Sequence, residues 1–186
     1  ELAGILTTVL FCPEDLYLIR EGAAARRRFL DGAICQLRPR YAQALAEYNR
    51  LYEHKTRILR DSGEYPSLLD TLDDFSLRMA QTGALLDTLD DFNLRMAQFG
   101  ARIIYYRAHF VRRLGEQAPA IHADFSGGRE QLGLRYETVS TVQDPLGSVQ
   151  DIFESLMRHQ ESHRRAELDS RQCLSGPHKD DLVVEL

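Results

Sequence analysis

No apolar run in the 186-residue chain approaches the roughly 20 residues that a membrane-crossing helix needs. The sequence also has no basic-then-apolar leader of the secretory kind. Cysteine is scarce: Cys12, Cys35 and Cys173 are far apart, odd in number and outside any zinc-ligand spacing. Because free thiols suit a reducing compartment, we expect a cytoplasmic protein with no membrane partner.

Motifs for nucleotide chemistry and catalysis are missing as well. The string G-x-x-x-x-G-K-[ST], whose backbone amides and lysine cradle phosphates, does not occur in the chain. No Ser/His/Asp or Cys/His arrangement can be defended, so we predict no catalytic residue. His159 and His163 lie one helical turn apart without an evident third ligand, which favours exposed surface histidines over a metal site. We therefore expect neither a metal nor a bound cofactor within the chain.

The charge balance does not indicate a nucleic-acid binder either. The chain carries 23 Lys and Arg against 28 Asp and Glu, a net charge of −5, whereas nucleic-acid-binding domains are usually basic. Any contact with DNA must therefore come from a local basic patch. Hydrophobic residues make up 44% and charged residues 27%, which is typical of a globular protein of one domain or a large part of one.

Heptad spacing dominates the middle of the chain. A helix predicted over residues 24–37 stops before Pro39, and a first seam then follows, with Lys55 in its one polar slot. Together the two seams predict an antiparallel helical hairpin, although an isolated stripe could equally face a globular core. The first seam comprises Tyr41, Leu45, Tyr48, Tyr52 and Leu59, and the second Leu85, Leu89, Phe92, Met96, Phe99, Ile103, Tyr106 and Phe110.

A tandem repeat overlaps the second seam. Residues 68–84 and 85–101 differ only at Ser76/Asn93 and Thr82/Phe99, which indicates a recent duplication or an artefact. A shift of 17 residues is two heptads plus three, a stammer that turns the seam of the first copy away from that of the second. We expect the second copy to pair with residues 41–60. The first copy should form a separate helix or loop, or pack on another molecule.

Mixed structure is predicted for the last third of the chain. Apolar alternation predicts a strand over residues 131–138, and Ser148 with Asp151 predicts the cap of a helix that ends near Leu168. A polar loop over residues 173–181 then leads into a strand-like run, and a similar run occupies residues 4–11. Strands at both ends would need neighbours in a larger sheet, so we expect the chain to be a fragment.

Five strings follow one another across nearly the whole chain. They are Val9-Leu10-Phe11-x-Pro13-Glu14-Asp15-Leu16; Gly22-x-x-x-Arg26-Arg27-x-Phe29-Leu30-Asp31; Leu37-x-Pro39-x-Tyr41 with Leu45-x-x-Tyr48-x-x-Leu51; Phe99-Gly100-Ala101-x-Ile103-Ile104-x-x-Arg107; and Gly176-Pro177-His178-Lys179-Asp180-Asp181-Leu182. Each string is weak alone, but their order and spacing resemble the RecF family of ABC-type ATPases, relatives of the chromosome-organising SMC proteins. Departures are Ala23 in place of Pro, Lys179 in place of a common Arg, and the duplicated segment.

Pattern and resemblance together predict a mainly α fold with minor β. An antiparallel, coiled-coil-like hairpin forms an arm, and a third helix and short strands belong to an incomplete ABC-type head. The expected divisions are residues 1–38 (head-proximal strand and helix), 39–124 (arm) and 125–186 (return to the head).

The resemblance also implies a function that the chain does not carry alone. RecF proteins bind ATP, with Mg²⁺, between two heads, through a Walker A loop before this segment and an ABC signature and Walker B after it. The segment would be the arm, lobe II, of a protein acting on gapped DNA or single/double-strand junctions with RecO and RecR, in recombination, repair, replication and the SOS response. A homodimer is a further expectation. The alternative is a structural coiled-coil dimerisation module without a DNA role.

Two segments are candidate contacts with DNA or a nucleotide interface. The guanidinium groups of Arg26, Arg27 and Arg28 match phosphate oxygens, and the structural alternative pairs them with Asp31 or Glu14. For the second segment, the alternative is a loop whose Asp side chains cap local backbone groups. It comprises Gly176, Pro177, His178, Lys179, Asp180 and Asp181.

Two other features are interpreted as structural. Residues 125–130 imitate the ABC signature, but a turn before the strand explains their two glycines better. A row of arginines on the second seam helix is predicted to be a solvated face. It comprises Arg102, Arg107, Arg112 and Arg113.

Overall fold

The computed structural model describes Leu18 and residues 20–61 and 72–186, without the side chains of residues 61 and 72–86. The predicted strand at residues 4–11, Glu14 and residues 62–71 lie outside the described residues. Within them, the chain is mainly helical, as predicted. The elements in order are α1 (Ala23–Leu37), α2 (Pro39–Asp61), α3 (Leu72–Ser126), β1 (Gly133–Glu137), α4 (Val149–Ser170), a 3-10 turn (Pro177–Lys179) and β2 (Asp181–Glu185).

Helices α2 and α3 form the predicted antiparallel hairpin, which we call the arm. The ring of Tyr41 near the start of α2 meets that of Tyr106 far along α3, with centroids 5.7 Å apart. Near the other end of α2, His54 lies 6.2 Å from Phe92. The seam residues between these points pack into one buried cluster, because 4-3 spacing keeps them on the facing sides of both helices.

The second copy of the repeat is the one that pairs with α2. Met96 is fully buried, and Phe92 and Phe99 pack against the same cluster. The prediction that the first copy forms a separate helix or a loop is wrong for residues 72–84, because α3 runs without interruption from Leu72 to Ser126. The alternative, that the first copy packs on another molecule, stays a prediction. A stammer rotates the packing seam of a helix but does not end the helix, which here continues past its partner. At about 1.5 Å per residue, α3 is roughly 80 Å long and α2 roughly 35 Å.

Helix α4 lies along the other side of α3. Ser148 caps it as predicted, since its hydroxyl accepts a hydrogen bond from the amide of Asp151 at 3.1 Å. A second buried cluster between the two helices contains Ala97, Ala101, Ile104, Ile152 and Leu156.

The two described strands connect the returning chain to the base of the arm. β1 pairs antiparallel with β2, with Gly133 opposite Glu185 and Glu137 opposite Asp181. Gly127 and Gly128 both have positive φ and form a turn after α3, as predicted for the signature-like string. Among the described helices, none is both long enough and apolar enough to cross a membrane.

Candidate functional site

The Gly-Pro-His loop, residues 173–181, lies against the base of the arm, and two glycines allow it to approach. Gly176 has φ of +132°, and a Cβ added there would lie 2.1 Å from the hydroxyl oxygen of Tyr48. A Cβ on Gly100 of α3 would come within 3.1 Å of Pro177 and 3.3 Å of Leu156. The loop therefore contacts α2 and α3 where side chains on these two residues would keep it away.

His178 is held from both sides of its ring. The hydroxyl of Tyr48 donates to Nδ1 at 2.7 Å, and Nε2 donates to the carbonyl of Cys173 at 3.0 Å. The ring of Tyr52 lies 4.5 Å away. Burial lowers the pKa of His178 to about 4, so the imidazole is neutral near pH 7 and carries its proton on Nε2.

Arg107 joins α1, α2, α3 and the loop. Arg107 is 3% exposed, so the prediction that it belongs to a solvated helix face is wrong. The other three arginines of that prediction, Arg102, Arg112 and Arg113, are exposed as expected. The guanidinium of Arg107 donates to both carboxylate oxygens of Asp31, at 2.9 and 3.0 Å, and to the carbonyl of Pro177 at 2.8 Å.

Charge keeps Arg107 ionised despite its burial. Burial alone would lower its pKa, but Tyr136, Tyr41, Asp31 and Asp180 outweigh that effect and the pKa is raised. A buried guanidinium with a two-pronged carboxylate partner is a fixed structural cation, and it is not available to a ligand.

Asp180 is the buried acid of the loop, with no exposed surface. Its carboxylate accepts hydrogen bonds from Tyr136 and from the hydroxyl of Thr138, the latter at 2.7 Å. Burial raises the pKa of Asp180 to about 6, and Arg107, 3.6 Å away, opposes that shift. Asp180 thus joins the loop to β1 and to the strand's continuation.

The three predicted arginines of α1 have different surroundings. Arg26 donates to both carboxylate oxygens of Asp181, at 2.8 and 2.7 Å, and this pair lowers the pKa of Asp181. The predicted alternative partner Glu14 lies outside the described residues. Arg27 donates to the carbonyl of Asp180 at 2.6 Å. The side chain of Arg28 is 74% exposed and meets Glu21 at 3.6 Å. Arg28 and the exposed Lys179 therefore present the least engaged cations of the candidate set.

A buried ion pair also anchors the loop, and the sequence analysis did not predict it. Lys55, the polar residue in the first seam, is 1% exposed and reaches Glu167 of α4 at 2.5 Å. The other carboxylate oxygen of Glu167 accepts from the amides of Leu174 and Ser175, at 2.7 and 3.3 Å. The pair thus links α2, α4 and the start of the loop.

His159 is buried, so the prediction that both α4 histidines are exposed is wrong. Its Nδ1 lies 2.6 Å from the hydroxyl of Ser175, and its ring stacks 3.9 Å from that of His163. Burial lowers the pKa of His159. Among the described residues, no group of three or more metal-binding side chains is found.

Comparison with known proteins covers the whole chain, although no protein-family model matches it. "DNA replication and repair protein RecF" of Agathobacter rectalis is 35% identical over 188 residues, and that of Acetivibrio thermocellus 32% over 185. Both matches span 100% of the chain and 44–45% of the relative. The chain is a segment of the RecF family. It spans less than half the length of the curated relatives that it matches.

The fold of this RecF segment agrees with solved structures. A recombination mediator protein RecF-ATP in the RecFOR pathway superimposes with a TM-score of 0.80 and 25% identity, over 100% of the chain and 44% of that protein. A second RecF structure gives a TM-score of 0.74 at 22% identity, which supports the fold.

ATP and Mg²⁺, which the RecF resemblance implies, do not fit the described residues of this segment. Two amides of the loop are used internally: those of Lys179 and Asp180 donate to the carbonyls of Gly176 and Pro177, at 3.0 and 3.4 Å. Each carboxylate oxygen of Asp180 and Asp181 already accepts a hydrogen bond from a protein donor, so Mg²⁺ would have to compete with these donors.

Proposed function

We propose that the chain is the DNA- and partner-binding arm of a RecF-like, ATP-dependent protein that acts in recombinational repair and replication at single-strand gaps. The observation that carries the proposal is the superposition of the whole chain on part of the RecF-ATP structure, with a TM-score of 0.80. The relatives are called DNA replication and repair proteins, and the solved one is assigned to the RecFOR pathway. By this relationship, RecO and RecR are the proposed protein partners.

Buried polar contacts support a mechanical role for the arm. Arg107 connects α3 to the carbonyl of Pro177, and Lys55 connects α2, through Glu167, to the start of the same loop. Because both links are buried, displacing the arm from the loop would deprive the Pro177 carbonyl and the amides of Leu174 and Ser175 of these partners. Each group that stayed buried without a partner would cost about 1–3 kcal/mol. A ligand that displaces the arm would therefore also displace the Gly-Pro-His loop.

The candidate residues divide into a scaffold and a contact surface. Arg26, Asp180 and Asp181 are engaged within the protein and hold the loop in place. Arg28 and Lys179 are exposed, and Arg28 lines a cavity of about 170 Å³ together with Arg27 and His178. We assign Arg28 and Lys179 to contact with DNA phosphate or with a nucleotide at the interface of a larger assembly.

The α2–α3 seam argues against a dimerisation module that uses the same heptads. Met96, Leu89 and Leu59 are buried against the partner helix of the same chain. A second chain would have to displace that helix, with loss of the buried apolar area.

Titration of a gapped DNA duplex at several salt concentrations tests the proposal. Phosphate contacts give an affinity that falls steeply with salt, whereas a structural module has no such dependence. Arg28→Ala/Lys179→Ala should reduce the slope of log K against log [salt] by about 2. Arg57→Ala/Arg60→Ala, a matched pair of exposed arginines on α2, should leave it unchanged. Absence of any binding to DNA would refute the proposal.

ATP binding and Mg²⁺ are assigned to parts of RecF proteins that this segment does not include. Calorimetry should therefore detect no saturable ATP binding by the 186-residue chain. Saturable binding would contradict its assignment as an arm.

A further inference from the structure

A groove crosses the arm where the α1–α2 junction faces α3. It consists of two adjoining cavities of about 290 and 920 Å³, which share Tyr105 and Tyr106. Ile34, Leu37 and Phe110 supply apolar lining to the smaller cavity. None of the candidate site residues on α1 or the Gly-Pro-His loop lines either cavity. The groove is therefore a separate surface.

Five exposed arginines line the groove in a chain whose net charge is −5. Among the described residues, no carboxylate lines the smaller cavity, and Glu47 in the larger one is bound to Arg50 at 2.8 Å. Arg112 reaches Glu116 only at 4.0 Å. A row of five cations with one long internal ion pair is suited to an external polyanion. The five are Arg38, Arg40, Arg102, Arg112 and Arg113.

Aromatic rings lie between Arg102 and Arg112 along α3. Tyr105 is half-buried and packs 4.1 Å from the ring of His109 and 5.8 Å from that of Tyr106. The guanidinium of Arg102 lies over the ring of Phe99 at 5.9 Å. From Arg102 to Arg113 the row extends roughly 16 Å along α3. Proteins that bind single-stranded nucleic acid combine cationic side chains, which contact the phosphate backbone, with aromatic rings on which the bases stack.

We propose that this groove binds single-stranded nucleic acid, with phosphates on the arginines and a base on Tyr105. The proposal rests on the proposed function. It adds that the bound nucleic acid is single-stranded and that the groove is a contact surface separate from Arg28 and Lys179. Tyr105 and Tyr106 line both cavities, so the groove can offer a ring face only to bases that are not stacked within a duplex. An acidic peptide could also pair with arginines, and the test therefore includes one.

The test is a fluorescence titration of the chain with a labelled oligo-dT strand, with blunt duplex and an oligoglutamate peptide as competitors. Arg112→Ala/Arg113→Ala should weaken binding at least tenfold at low salt and reduce the salt slope by about 1.4. Tyr105→Leu, which retains apolar bulk in the packed helix, should weaken binding about tenfold while leaving the salt slope unchanged. Arg57→Ala/Arg60→Ala is again the matched control.

Each other outcome overturns a defined part of the argument. Parental affinity in both groove variants, with DNA binding by the chain intact, would refute the groove and leave the proposed function standing. Absence of DNA binding by the unaltered chain would refute both. Displacement of the strand by oligoglutamate at lower concentration than by unlabelled oligo-dT would identify an acidic-peptide site and overturn the assignment to nucleic acid.

Discussion

Two residues of the Gly-Pro-His loop should give the protein opposite responses to acid. Burial lowers the pKa of His178 to about 4 and raises that of Asp180 to about 6, compared with ordinary values of 6.5 and 3.8. His178→Gln and Asp180→Asn each remove one of the two titrations. Gln keeps an amide that can both accept and donate, and Asn keeps the shape of the Asp180 side chain.

The sign follows from which state binds more protons. The folded pKa of His178 is depressed, so its contribution to stability is present above pH 6.5 and lost as the pH falls toward 4. The folded pKa of Asp180 is raised, so its contribution is full below pH 3.8 and lost as the pH rises through 6. At 1.36 kcal/mol per pKa unit, each effect amounts to about 3 kcal/mol. In the unaltered protein the two largely cancel between pH 4 and 6.

Urea denaturation followed by circular dichroism measures both effects. Between pH 6.5 and 4.5, the free energy of unfolding of His178→Gln should rise on acidification by about 2 kcal/mol relative to the unaltered protein. That of Asp180→Asn should fall by a similar amount over the same interval. Groups common to all three proteins, such as Asp181, drop out of the difference curves. Flat difference curves for both variants would refute the assigned protonation states.

Three further changes test the packing of the loop and arm. Lys55→Met should lower the free energy of unfolding by about 3–5 kcal/mol, because it leaves the buried Glu167 carboxylate without its cation. The double change Lys55→Met/Glu167→Gln should cost less than the sum of the two single changes. Additive costs would contradict this coupling. Gly176→Ala should lower the free energy of unfolding, measured by urea denaturation, by roughly 1–3 kcal/mol or more, because Gly176 has a positive φ and its added Cβ would meet the hydroxyl of Tyr48. Adding Tyr48→Phe should restore only part of this stability. Full restoration would show that the positive φ contributes nothing to the loss. Deletion of residues 68–84 should shift the melting temperature by only a few degrees, because residues of the second copy pack against α2. Loss of cooperative melting would show instead that the first copy supports the hairpin.

Local patterns predicted most of the fold. The seams, the cap at Ser148 and the glycine turn after α3 depend on residues close together in sequence, where spacing determines which side of an element is buried. The behaviour of the first repeat copy could not be predicted in this way. A helix needs only its own hydrogen bonds to continue beyond its partner, so the shift of the seam did not define an end for α3.

The site was predictable as a set of residues and not as a set of contacts. Arg107 lies 70 positions from Pro177, and Lys55 lies 112 from Glu167, so neither pair leaves a local signal. Sequence spacing did contain one usable signal, since Arg107 lies four residues from both Ile103 and Val111. Both neighbours are buried, so Arg107 shares their face, unlike the exposed arginines beside it.

The two differences between the repeat copies fall at positions where the second copy is buried or packed. Asn93, where the first copy has Ser76, is buried, with 8% of its surface exposed. Phe99, where the first copy has Thr82, packs on the main cluster and lies beneath Arg102 in the groove. If the first copy took the place of the second, threonine would remove most of an aromatic side chain from the seam, at a cost of roughly 3 kcal/mol. Phe99, one of the two residues that distinguish the copies, therefore favours the observed hairpin register, even though 15 of 17 positions are identical.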